Sequence, residues 1–219
     1  VEPLSPVEAR VVACLVEKQR TVPDTYPLTL NALVAACNQS SSRDPIMHLA
    51  DGDVTRAIDS LKARGMARIV HPGAGSRSTK YRHVLDEALG IEADRLSVLA
   101  VLLLRGPQTL NELRTRTERL YDFDSSDDVE TALEGLAAAG LAERRAGARE
   151  ARWASLLCPS GHADVQEVDT TVTRTERATE AAAAPETRND PGLGERVTAL
   201  EAEVAELRSV VDRLRDLLD

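Results

Sequence analysis

Apolar residues recur at intervals of three and four along two similar stretches, "VTRAIDSLKARGMA" (Val54 to Ala67) and "VETALEGLAAAGLA" (Val129 to Ala142). In the first, Val54, Ala57, Ile58 and Leu61 share one side of a helix. In the second, Val129, Ala132, Leu133 and Leu136 do the same 75 residues later. Gly65 and Gly140 follow as stops, because glycine tolerates the positive φ that ends a helix. After each glycine come two β-like segments around a glycine-containing turn, "MARIVHPGAGSRSTKYRHV" and "LAERRAGAREARWASLL", which predict a two-stranded hairpin each.

The repeat extends upstream. "LTLNAL" (Leu28 to Leu33) returns as "QTLNEL" (Gln108 to Leu113) at an offset of 80. "LSPVEARVVACLVEK" (Leu4 to Lys18) resembles "IEADRLSVLAVLLLR" (Ile91 to Arg105) at an offset of 87. Each copy reads helix, helix, helix, hairpin, the order of a winged helix with its helix–turn–helix in helices two and three. The predicted fold is mainly α with small β-hairpin wings (α+β), in two tandem winged-helix domains at 1–86 and 87–158. Each is of a size that can fold alone. The falling offset gives the first copy seven extra residues between helices one and two and five between helices two and three. "QRTVPDTYP", with Pro23 and Pro27, fills the first insertion and cannot be continuous helix. "NQSSSRDP" (Asn38 to Pro45) lies in the second.

Beyond Cys158 the pattern changes. Residues 159–192 are rich in Thr, Ala, Glu and Pro and hold few large apolar side chains, which reads as a solvated, flexible linker. From 193 to 219 the apolar positions Leu193, Val197, Leu200, Val204, Leu207, Val211, Leu214 and Leu218 alternate in steps of four and three. Valine at a and leucine at d predict a parallel two-stranded coiled coil, so a homodimer is expected through Val197, Leu200, Val204, Leu207, Val211, Leu214 and Leu218. Arg196 would face Glu201 of the partner helix, and Glu203 would face Arg208. The other reading is one amphipathic helix packed on its own domain.

Composition narrows the function. Aromatics make up 2% of the 219 residues, so the cores must be aliphatic. No apolar run approaches a membrane span, and "VEPLSPVEAR" does not read as a secretory leader. Cys14, Cys37 and Cys158 form neither an even framework nor a C-x-x-C, which suits a reducing cytoplasm. The four histidines are scattered, and Cys158 and His162 find no second pair for a zinc site. The serines 40–42 have no activating base at a suitable spacing, and "PGAGSRS" lacks the context of a phosphate loop. The expectation is therefore a protein that is not an enzyme, with no cofactor and no metal.

The net charge of −9 is uneven. Residues 1–82 hold 11 Lys and Arg against 8 Asp and Glu, whereas residues 83–158 hold 9 against 14 and residues 159–219 hold 7 against 14. Only the first third could suit nucleic acid. There the third helix turns Thr55, Arg56, Asp59 and Lys62 outward, and the wing offers Arg77, Lys80 and Arg82. Ser41, Ser42 and Arg43 lie in the turn before that helix, as groups that could fix register on a phosphate backbone. Their structural alternative is to satisfy exposed helix ends. The second copy exposes Glu130, Thr131 and Glu134 after "SSDD", a face that would repel phosphate. The expected partner is double-stranded DNA bound by the first copy, as in a transcriptional regulator. The alternative is a protein–protein interaction scaffold.

"LSPVEARVVACLVEKQRTVPDTYPLTLNALVAACNQSSSRDP" closely resembles the opening of the YceH-like bacterial proteins, a family of unknown function. The resemblance continues through "TKY" (Thr79 to Tyr81), "LLLRGPQTLNELR" (Leu102 to Arg114) and the second hairpin, and covers roughly residues 4–158. It implies a tandem winged-helix fold and no known substrate, cofactor or catalytic residue.

Overall fold

The computed structural model describes residues 2–71, 78–147 and 149–159. All lie in the first of two compact units, Val1–Glu167 and Val168–Asp219. The linker and coiled coil expected at 159–192 and 193–219 thus fall, apart from Pro159, outside the described residues.

Those residues form a mainly helical α+β protein with seven α-helices and small antiparallel sheets. The first helix, α1 (Pro6–Thr21), starts at a capping box: Glu8 N–H donates to Ser5 Oγ, and the Glu8 carboxylate accepts from Ser5 N–H. It ends where Pro23 and Pro27 forbid continuation, in a 3₁₀ turn at Pro23–Thr25. There follow β1 (Leu28–Thr29), α2 (Leu30–Cys37), α3 (Asp51–Ala63), β2 (Ala67–Val70) and β3 (Lys80–His83). A short helix, α4 (Leu85–Leu89), leads to α5 (Ala93–Arg105), α6 (Leu110–Thr117), α7 (Ser126–Ala138), β4 (Ala142–Arg145) and β5 (Arg152–Ser155).

The two stretches that opened the sequence repeat are α3 and α7, each 13 residues long. Val54, Ala57, Ile58 and Leu61 are buried on one, and Val129, Ala132, Leu133 and Leu136 on the other. Gly65 and Gly140 both carry φ of +69°, a conformation that side chains rarely adopt. The sheets repeat as well. In the first, β3 lies between β1 and β2. In the second, β4 pairs with β5, and Gln108 bridges to Trp153 where β1 meets Tyr81 in the first.

Besides the short helix α4, two features were not expected from the sequence. One is β1, which makes the first sheet three-stranded. The other is the packing of α1 against α5, the most extensive contact between elements. Residues 8–16 of α1 and 96–104 of α5 are buried without a break, so each helix is covered on every side. One aliphatic core runs through both halves.

Candidate functional site

The insertion between α2 and α3 is a closed loop. Asn38 Nδ2 donates to Leu49 O at 2.9 Å, and Leu49 N–H donates to Asn38 Oδ1 at 2.7 Å, so one amide clasps both ends. Inside the loop the outcome for Arg43 corrects the expectation. Its side chain is 0% exposed, not turned to solvent. It pairs with Glu17 Oε2 at 2.6 Å and donates to Ala36 O (3.0 and 3.1 Å), Gln39 Oε1 (2.9 Å) and Ser42 O (2.8 Å).

The physical reason is helix α2, whose last carbonyls have no partner within the helix. Arg43 satisfies Ala36 O, and the buried Arg10 satisfies Cys37 O at 3.2 Å. Two guanidiniums thus cap one C-terminus, where positive charge is favoured. Burial alone would raise the Glu17 carboxyl, but hydrogen bonds and charge from Arg43, with help from Lys18, hold it below its ordinary value. Burial works against the Arg43 charge too, and it is more than offset by causes among which the hydrogen bond to Glu17 comes first.

Ser42 is also committed elsewhere. It sits at φ +60°, and its Oγ accepts from Arg105 Nη2 at 2.5 Å, across to the end of α5. Of the three loop residues expected to face phosphate, Ser41 alone is exposed.

Helix α3 keeps the predicted face. Thr55 and Arg56 are exposed and Lys62 is half-buried. Arg56 pairs with Asp53 at 2.5 Å and Lys62 with Asp59 at 3.1 Å, one turn apart in each case. Thr55 Oγ1 donates back to Asp51 O at 2.8 Å. Arg64 turns away, to Pro3 O at 3.2 Å and to Glu8 at 3.7 Å.

On β3, strand alternation puts Lys80 and Arg82 on one face and Tyr81 and His83 on the other. Thr29 lies across from Lys80, and Arg68 across from Arg82. Arg68 is held by Glu87 at 3.0 Å, whereas Lys80 and Arg82 have no acidic partner within 4 Å among the described residues. The strand is fixed from behind. His83 N–H donates to Tyr26 Oη at 2.8 Å, and His83 Nε2 lies 2.5 Å from Gln19 Oε1. Burial pushes His83 down to about 4 and Tyr26 up to about 12. Arg77, in the hairpin tip, lies outside the described residues, as do Val197, Leu200, Val204, Leu207, Val211, Leu214 and Leu218.

The second copy differs as expected in charge. Asp127, Asp128, Thr131 and Glu134 are exposed on α7, and Glu130 is half-buried. Cys14, Cys37 and Cys158 are all buried. Among the described residues no three His, Cys, Asp or Glu could hold a metal ion, and no helix is long and apolar enough to cross a membrane.

Sequence reasoning missed Arg10, Glu17 and Arg105. For Arg10 a signal exists: it stands one turn ahead of Cys14 on a helix whose "VVACLV" run is apolar, so both point toward α2.

A mainly helical α+β protein built on a duplicated order of helices and hairpin, with an aliphatic core and a polar α3 face, is what these residues define. The chain belongs to the family described as "Protein of unknown function, DUF480", which it matches over residues 4–158. It is 52% identical over 159 residues to the UPF0502 protein of Pseudomonas aeruginosa (strain LESB58), covering 71% of each chain. It is 46% identical over 224 residues to the UPF0502 protein of Leptothrix cholodnii, covering 98% of this chain and 95% of that one. It is 44% identical over 221 residues to that of Polaromonas sp., covering 97% and 86%. These matches agree with the resemblance to the YceH-like proteins drawn from the sequence.

Proposed function

We propose that the chain is a non-enzymatic cytoplasmic DNA-binding protein made of two tandem winged helices, with α3 of the first as recognition helix. The observation that carries this reading is the bare outward face of α3. The helix packs on α1, α2 and β2, the two halves join through α1 and α5, and Thr55 and Arg56 stay exposed. A recognition helix must offer such a face to the major groove. Thr55, Arg56 and Lys62 then meet the groove and its rim, while Lys80, Arg82 and, at the hairpin tip, Arg77 meet phosphate. Arg43 and Ser42 leave the contact set, and Ser41 stays in it.

The test is a titration of the full chain with random-sequence duplex at several salt concentrations. Wild type should bind more weakly as salt rises. Replacing both Lys80 and Arg82 by alanine should lower the slope of log affinity against log salt by about two units, one per lost phosphate contact. Arg56→Ala should relax preference at one base position, at a cost of roughly 1–3 kcal/mol if the side chain reaches a base edge. A wild type without affinity at low salt would end the DNA reading.

The scaffold reading would then lead, and one observation favours it already. Asp53 and Asp59 neutralise the two cations of α3, so its outward face is not strongly basic. We also propose that residues 193–219 form the parallel coiled coil expected from their heptads, on sequence grounds alone. Val204→Asp puts a charge in that seam and should turn a dimer into monomers by light scattering. A wild type already monomeric at micromolar concentration would contradict the dimer.

A further inference from the structure

The insertion loop faces two ways. Inside the first half it fixes the start of α3, because the Asn38 clasp closes on Leu49, two residues before the helix begins at Asp51. Its other side is held by the second half. Asp44 N–H donates to Leu104 O at 2.8 Å, which satisfies a carbonyl left open at the C-terminus of α5. Arg105, the last residue of α5, donates to Ser42 Oγ at 2.5 Å. Arg10 donates to Pro45 O at 2.6 Å from α1, the helix on which α5 packs. Little slack remains between these points. Arg43 fills the loop with bonds to Glu17, Ala36, Gln39 and Ser42, and Ser42 holds a left-handed backbone conformation.

We infer that the second half is a positioning element for α3, acting through the end of α5 on the insertion loop, and that Arg105 is its positioning residue. This rests on the reading of α3 as the DNA-contacting helix, but its mechanical part does not. Arg105 touches the loop hydroxyl and not the proposed DNA face. The loop, seated between α5 and α3, converts the place of α5 into the place of the first turn of α3. The second copy has no counterpart of this insertion, so only α3 is reached in this way. An α3 held in place before binding loses less conformational freedom on the duplex, so the contact raises affinity without adding a phosphate contact.

The experiment compares wild type, Arg105→Ala, Arg105→Lys, Ser42→Ala and the double alanine variant, all as full chains. Amide hydrogen exchange and salt-dependent binding to random-sequence duplex are read on each. In both single alanine variants, exchange at Asp44, Asp53 and Val54 should quicken by about tenfold, while the amides of α7 stay as in wild type. The double variant should be no worse than either single one, because both remove the same bond. Arg105→Lys, which keeps a donor, should recover part of the loss. Affinity for duplex should fall by about three- to tenfold in Arg105→Ala with the salt slope unchanged.

Unchanged exchange at these amides in both single variants would overturn the inference, whatever the DNA result. A slope lower by about one unit would also overturn it, since Arg105 would then be a phosphate contact itself. Faster exchange in a chain whose wild type binds no duplex would uphold the mechanical coupling and remove the DNA reading alone.

Discussion

Arg43→Ala is expected to lower the unfolding free energy by about 3–5 kcal/mol, the usual cost of removing one partner from a buried ion pair. The side chain is fully buried, and its loss strands two groups at once. Glu17 keeps its charge at 12% side-chain exposure with Lys18, 3.3 Å away, as its remaining cation, and Ala36 O at the end of α2 loses its main donor. For a protein of this size the melting temperature should fall on the order of 10 °C. The pH dependence follows from the direction of the shift. In wild type Glu17 titrates below its unfolded value of 4.5, so its contribution is present above that value and is lost as pH falls through the folded one. In the variant burial is opposed less, the folded value rises, and the penalty shrinks as Glu17 takes up a proton. Chemical denaturation of both proteins at pH 7 and pH 4 should therefore show a smaller gap at pH 4. Equal stability at pH 7 would mean that the pair contributes nothing.

The second large effect concerns separation of the halves. The fragment 1–86 is expected not to fold cooperatively by itself, although its sequence pattern is that of a complete small domain. Helix α1 is covered all round from residue 8 to residue 16, and part of that cover is α5. Removing residues beyond 86 would expose Val11, Val12, Leu15 and their neighbours wherever α5 had lain on them. At about 1.5–3 kcal/mol per large apolar side chain returned to water, three or four of them cancel the whole stability of a domain. The full unit, residues 1–167, should melt in one transition. Circular dichroism against temperature, with gel filtration, distinguishes the outcomes. A monomeric 1–86 fragment with a sharp transition would show that α5 is dispensable.

The elements that announced themselves were those with long periodic faces. Helices α3 and α7, their glycine stops and the order helix, helix, helix, hairpin could all be read from apolar spacing. So could the end of α1, because Pro23 and Pro27 admit no other reading. What stayed hidden depends on contacts between distant parts of the chain. Arg43 stands among serines, an aspartate and a proline, where local pattern points every charged side chain outward. Its partner, Glu17, lies 26 residues upstream. The cover of α1 by α5 was hidden for a similar reason. The run "LSVLAVLLL" predicts burial but does not say what covers it, and the covering surface belongs to the other copy. On α3, Thr55 and Arg56 are exposed as the spacing predicts, because each is fixed by its own helix alone, whereas Lys62 is half-buried. Strand β1 is too short for any periodicity to register.

The buried thiols carry one more consequence. Cys14 Sγ donates to Ala36 O at 3.4 Å, beneath the same carbonyl that Arg43 caps, and both Cys14 and Cys37 are 0% exposed. An alkylating reagent can reach them only after α1 and α2 have parted. The rate at which such a reagent consumes these two thiols is thus a clock for the opening of that joint, wound into the chain with no added label, and it keeps time in undisturbed buffer where denaturants and heat are not needed.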